Sequence, residues 1–468
     1  MINSSASQEI LDRSKPPKPG EPKDVHFPQY IDTTLPNGVN LLLIENYKIP
    51  SVSIRLVFKH TGSIYDNGKF GLSSVTAEML QKGTAKRTAS QIAEEIDFLG
   101  ANLSSGSDWD GTYISLSVLK KHLDKAIEIL SDVVTHPAFN EDELQRVKEQ
   151  RIAGIIQSKD DPNILSEKMF NRVVYENFPY ENPLEGTETS IKNITTEDLK
   201  RFYEYFYRTG NLIIAFVGAV SLDEAMMILN ENFHDLNTKP FEIPMFDDRV
   251  RDKKFEPNTV YIVNKPGAVQ SCIKVGHLGI SRNNPDFLTV SVMNTILGGY
   301  FGSRINYTLR EKHGFTYGAR SNFNPRYYPG DFSVDADVRT EVTDTSISLI
   351  IEELNRIVNE EVTDEELSSV KSYLTGIFPI QLETANAVAT RVINLKMYDL
   401  PKDYYDTFIS NVNKLTKKDI INAAKKYIHP DNLYFVLSGN ANEIKVKLKR
   451  FGEVRIFDTD ENEIKEKN

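Results

Sequence analysis

Gly298 to Ser321 reads GGYFGSRINYTLREKHGFTYGARS, and the rest of the chain is best approached from it. It follows Met293, Asn294 and Leu297 at the end of an apolar run with helical spacing. Gly298, Gly299 and Gly302 admit backbone angles and close approaches that a side chain forbids. Arg304, Leu309 and Arg310 fit a short polar helix that stops at Gly314. Phe315, Tyr317 and the GARSNF run read as the start of a strand. Arg310 and Tyr317 then stand across a helix-to-strand corner, which can bring a guanidinium and a phenol to one spot. The residues alone leave two readings open: a binding pair, or a solvated helix-end charge beside a half-buried strand aromatic.

Moving outward, the chain repeats itself. ITTEDLKRFYEYFYRTGNLIIAFVGAV (194–220) is echoed by LTKKDIINAAKKYIHPDNLYFVLSGNA (415–441). Each has a Thr N-cap pattern, a one-faced apolar helix, and a turn at Asn-Leu into a strand ending at glycine. Leu199 and Ile420, Asn211 and Asn432, and Gly218 and Gly439 correspond at a constant offset of 221. FNEDELQRVKEQRIAGI (139–155) matches VTDEELSSVKSYLTGI (362–377) at nearly the same offset, with Leu144 and Val147 opposite Leu367 and Val370. Strands such as Val52–Lys59 and Leu212–Val217, mixed with helices, make each half α+β. The reading divides the chain into an extended lead-in (1–30), a first domain (31–235), a polar, proline-bearing linker (236–256), a second domain (257–455) and a charged, frayed tail (456–468).

The 468 residues suffice for two sizeable cores, and the composition, 40% hydrophobic and 26% charged, is globular. A net charge of −11 argues against nucleic acid and anionic membrane surfaces as partners. No run is long and apolar enough to span a bilayer. The opening residues lack an apolar signal region, so the sequence as given is expected to be cytoplasmic; a start assigned too far downstream would instead place the protein in the cell envelope or periplasm. The single Cys272 excludes an internal disulfide and a cysteine-based zinc site, and reads as a small buried hydrophobe. Glu141–Glu143 and Asp364–Glu366 read as first-turn helix charges. Trp109, in the turn SSGSDWDGT, either lines a cavity or anchors a hairpin tip.

The stretch LGGYFGSRINYTLREKHGFTYGARS resembles the C-terminal-half signature of the pitrilysin-like metallopeptidases, the inverted-motif zinc family that includes mitochondrial processing peptidase. The resemblance spans nearly all of residues 31–455. It implies tandem homologous domains, each a mainly antiparallel sheet with packed helices, facing across a cavity. It also implies that Arg310 and Tyr317 contact the substrate backbone beside a zinc ion. His313, the only titratable base beside that pair, reads as a helix-end cap.

The family's first half carries H-x-x-E-H on a helix, where positions i and i+4 share a face and both imidazoles reach one ion. Here the matching helix is FGLSSVTAEMLQKGT (70–84), with Leu72, Val75, Met79 and Leu80 as its apolar stripe and Gly83 as its stop. Ser74, Ala77 and Glu78 stand at the motif positions, so both imidazoles and the general base are gone. The third ligand position falls in Ile152–Ile156, with Glu149 the nearest carboxylate. The eight histidines lie no closer than 14 residues apart along the chain, which gives no local pair to replace the motif.

The resemblance therefore implies a zinc-less subunit of a heterodimeric peptidase. No cofactor is expected in this chain and zinc is expected in a homologous partner subunit, to whose site this chain lends Arg310 and Tyr317. The substrate expected is a peptide or unfolded protein, held as an added strand. The alternative is a scaffold or assembly subunit of the same fold with no part in proteolysis.

Overall fold

The computed structural model describes residues 25–240, 242–246 and 255–465. Most of the lead-in, part of the linker and the last three residues lie outside that set.

Twelve strands form two sheets of six. The first holds β1 (Ile31–Thr34), β2 (Asn40–Glu45), β3 (Ser51–Lys59), β4 (Asn102–Ser107), β5 (Gly111–Leu119) and β6 (Leu212–Gly218), in the order β1-β2-β6-β3-β5-β4. The second holds β7 (Thr259–Asn264), β8 (Gln270–Leu278), β9 (Ala319–Asn324), β10 (Asp331–Arg339), β11 (Tyr434–Gly439) and β12 (Glu453–Phe457), in the order β12-β7-β11-β8-β10-β9. Apart from β1 and β12 the two orders are the same under the repeat. Pairing is antiparallel except for β2 with β6, and β7 with β11 and β12. The central strand β6, LIIAFVG, is buried along its whole length, as a strand covered on both faces must be.

The second covering layer is exchanged between the halves. The Pro162–Tyr175 helix of the first half packs on β8 and β11 of the second sheet. Its counterpart, the Ala385–Met397 helix, packs on β3 and β6 of the first. Val388, Ala389, Val392 and Ile393 thus share one apolar cluster with Val57, Ile213 and Ala215. Between the halves lies a cavity of about 430 Å³ walled by Trp109 on one side and Arg326 on the other. Across this seam the Tyr175 hydroxyl donates to Asp331 Oδ1 at 2.8 Å, and the Tyr327 amide to Asp110 Oδ2 at 2.8 Å. The Arg326 guanidinium lies 3.7 Å from the Trp109 ring centre. Trp109 thus takes both roles its sequence allowed, hairpin tip and cavity wall.

One local expectation is corrected. The tail is tied down rather than frayed as far as Ile464, whose amide donates to the Ile456 carbonyl at 2.7 Å, while Arg455 grips Glu463 with two contacts of 2.8 Å. The lead-in's last residues are likewise anchored, with Phe27 buried and stacked 5.1 Å from Tyr405. Cys272 is buried in β8, where burial and the nearby Asp337 carboxylate hold its thiol protonated. No helix among the described residues is long and apolar enough to cross a membrane.

Candidate functional site

Two places carry the residues singled out in the sequence, and the structure treats them differently. The first is the helix Leu72–Met79, shorter than expected: Leu80 caps it, and Gly83, at φ +124°, stands beyond two further turn residues. Its N-terminus is held from outside by Asp66, whose carboxylate accepts from the amides of Gly71 (2.7 Å) and Ser73 (2.8 Å). Gly71 has φ +92°, and a Cβ there would stand 3.0 Å from the Glu185 carbonyl, so the entry to this helix admits only glycine. Asp66 is buried, which pushes its pKa up to about 7 against the pull of those amides.

Ser74 and Glu78 do share a face, as the i, i+4 spacing predicts. Ala77 is fully buried, and its carbonyl accepts from the Ser105 hydroxyl of β4 at 2.7 Å. The side chain that meets Ser74 and Glu78 comes from the Glu141–Ser158 helix, and it is neither Glu149 nor a residue of Ile152–Ile156. Arg151 donates from Nε to Glu78 Oε2 at 2.9 Å, from Nη1 to Ser74 Oγ at 2.8 Å and from Nη2 to the Ser74 carbonyl at 3.1 Å. Glu149 pairs instead with Gln145 on the same helix, and Ile155 is buried. Ser74 Oγ also lies 2.8 Å from the Leu184 carbonyl and 3.1 Å from that of Gly71.

This donor set does not fit zinc. Such an ion takes four nitrogen, sulfur or carboxylate ligands at about 2.0–2.3 Å. Here there is one carboxylate, already paired with a guanidinium, and one hydroxyl committed to backbone carbonyls. Among the described residues no three His, Cys, Asp or Glu side chains gather as a metal ion would need.

The second place is the glycine-rich corner. The chain is π-helical at Thr295–Gly299, turns through Tyr300–Ser303, and is π-helical again at Tyr307–Lys312. Wide turns of this kind recur at functional sites. Gly298 passes so close to β9 that a Cβ would stand 2.3 Å from the Ser321 amide nitrogen. Arg304, from the same stretch, is a structural residue: its side chain is buried and grips Glu366 with bonds of 2.6 and 2.9 Å.

Arg310 is half-exposed, with its guanidinium 4.5 Å from the ring centre of Phe301 and a 3.6 Å contact to Glu311. The helix closes at Gly314, whose amide donates to the Arg310 carbonyl at 3.0 Å. The expected strand does not begin at Phe315. The Thr316 hydroxyl bonds the Gly318 carbonyl at 2.8 Å, and this local turn holds the backbone off the ladder until Ala319. Tyr317 therefore sits on a turn with 93% of its surface exposed, and its hydroxyl has no partner among the described residues. It is not the half-buried strand aromatic that one reading allowed. His313 caps the helix end, its ring tilted against that of Phe315 with centres 5.2 Å apart.

Sequence reasoning missed Arg151 and Phe301. A cation among the aliphatic residues near the expected third-ligand position was a signal for the first; nothing marked Phe301 beyond its place in the glycine-rich turn.

Comparison with known proteins bears on the family. The family described as insulinase (peptidase family M16) matches residues 41–188, and the peptidase M16 inactive domain matches residues 193–374. The chain is 26% identical over 411 residues to the Helicobacter pylori "Non-peptidase homolog YmxG", covering 87% of this chain and 93% of that one. It is 22% identical over 440 residues to the beta subunit of the mitochondrial-processing peptidase of Saccharomyces cerevisiae, covering 88% and 91%. The crystal structure of a peptidase M16 inactive domain from Pseudomonas fluorescens superposes with a TM-score of 0.81 at 28% identity, over 88% of this chain and 98% of that one. With both halves matched by the same family across the tandem sheets, the chain belongs to the M16, pitrilysin-like, peptidase family.

Proposed function

We propose that this chain is the zinc-less subunit of a two-chain M16 peptidase, lending Arg310 and Tyr317 to the zinc site of a homologous partner. The observation that carries the reading is Tyr317: a phenol 93% exposed on a short turn, with its hydroxyl uncommitted among the described residues. Its exposure exceeds that of the other exposed aromatics described, such as Tyr47 at 62% and Phe301 at 66%, so the whole phenol is available to a second chain. Arg310 stands on the helical segment Tyr307–Lys312 that precedes that turn, propped on Phe301. The beta subunit of mitochondrial-processing peptidase, to which the chain is similar, is by its name one part of a multi-subunit enzyme.

In the complex the partner's zinc supplies the activated water. The Tyr317 hydroxyl donates a hydrogen bond to the scissile carbonyl oxygen as negative charge develops there, and Arg310 holds the neighbouring backbone carbonyl. The substrate is a peptide or unfolded protein lying as an added strand on a sheet edge; β4 and β9 each leave one edge unpaired within their sheets.

The scaffold reading has an observation of its own: the Helicobacter relative is named a non-peptidase homologue. One experiment separates the two. The chain is co-expressed with a homologue that carries H-x-x-E-H, sized as a complex, and assayed on a fluorogenic peptide. Activity that requires both chains supports the shared site; partner activity undiminished without this chain favours the scaffold.

A further inference from the structure

The glycine-rich corner bears on what this chain does for a partner. The degenerate motif bears on what it has done to itself, and this holds whichever reading of its function is right.

We infer that Arg151 is a built-in cation standing in for the metal: it bonds the two motif positions that keep a polar side chain, joins the motif helix to the helix of the third ligand, and keeps divalent ions out. Its planar fork meets Glu78 through Nε (2.9 Å) and Nη2 (2.8 Å) while Nη1 reaches Ser74 Oγ (2.8 Å). One side chain thus bonds both the first and the last position of the former motif, as a metal ion held there would. A lysine has no planar fork to do this, whereas a guanidinium matches a carboxylate and a hydroxyl at once. Glu78 is matched by the cation rather than left as a lone carboxylate: Arg151 is 19% exposed at its side chain and Glu78 31%.

Two consequences follow. A divalent ion placed on this face would meet a fixed positive charge within contact distance, in a partly desolvated setting where repulsion is stronger than in water. Restoring the ligands is then insufficient to restore the metal. Removing Arg151 should also loosen the two helices, which are joined here across 73 residues of chain.

The test uses the full chain. One variant carries Ser74→His, Ala77→Glu and Glu78→His with Arg151 kept; a second adds Arg151→Glu, which removes the cation and offers a carboxylate. Both are dialysed against zinc and then buffer, and metal is measured per chain. The expectation is near one zinc in the second variant and a zinc affinity weaker by about 100-fold in the first, the upper end of what a group outside the ligand set does. Equal zinc in the two overturns the inference, and so does zinc in neither, because Arg151 would then not be what bars the metal. In the otherwise unaltered chain, Arg151→Met should lower the unfolding midpoint and Arg151→Lys should fall between it and the parent. A Met variant that melts with the parent likewise overturns it.

Discussion

Among the described residues nothing bonds the Tyr317 hydroxyl, so losing it should leave the fold untouched. In a complex with a zinc-bearing partner, Tyr317→Phe should lower kcat by about 10²–10³, or ~2.7–4 kcal/mol, the usual loss of one preorganised oxyanion donor. KM should change little, because the bond strengthens only as charge develops. Arg310→Ala should raise KM as well, since it holds a ground-state carbonyl. Steady-state kinetics on the purified complex check both, and full kcat in a Tyr317→Phe complex that assembles normally would leave the scaffold reading in front. At this scale the sequence was informative wherever one element fixes the answer. The loss of H-x-x-E-H could be read off because a single helix sets its spacing. The close pass of Gly298 over Ser321 was legible in kind, since only a close approach or a special angle asks for such a glycine. Arg151 was not, because its meeting with Glu78 is a tertiary event between two helices.

Among the elements, the helices announced themselves and the strand after the corner did not. Asp364–Glu366 do form a first helical turn, but Glu366 has a second task, since the buried Arg304 pairs with it. Its own burial would raise its pKa, yet Arg304 and Thr363 outweigh that and hold the carboxyl low. A carboxylate lowered on folding stabilises above its unfolded pKa, and the contribution is lost as pH falls. Glu366→Gln should therefore cost about 3 kcal/mol near neutrality by leaving a buried guanidinium half-paired, and the gap should narrow as pH falls below the ordinary carboxylate range. Asp66 has the opposite sign. Its pKa, raised by burial to about 7, makes its stabilisation greatest in acid and loses it as pH rises toward neutrality. Asp66→Asn should therefore cost most near pH 4, about 1–2 kcal/mol as for a lost helix cap, and progressively less up to pH 7. Thermal midpoints of the parent and both variants from pH 3 to 8 should show the two gaps shrinking in opposite directions. The late start of β9 escaped the sequence because Thr316 and Gly318 fit a strand margin and a local turn equally well, and only a hydrogen bond decides between them.

For the whole molecule, the repeat at a nearly constant offset made the doubled α+β architecture legible in the sequence. The exchange of the Pro162–Tyr175 and Ala385–Met397 helices was not, because an apolar helix face says that it is buried and not against which sheet. That exchange changes what a domain means here. Each half lacks one face of its own covering: without Val388, Val392 and Ile393 from the second half, Val57 and Ile213 of the first sheet would meet water. At roughly 1.5–3 kcal/mol for each large apolar side chain exposed, a handful of such residues is comparable to the whole stability of an ordinary domain. The halves should accordingly unfold together. With a protease site placed within residues 236–256 and then cut, the two fragments should still elute as one species and melt in one transition at nearly the parent's midpoint. Either half expressed alone should be insoluble or bind a hydrophobic dye. Two separate transitions in the uncut chain, or fragments that part on a sizing column in native buffer, would show that each half completes its own core and that the exchanged helices add little.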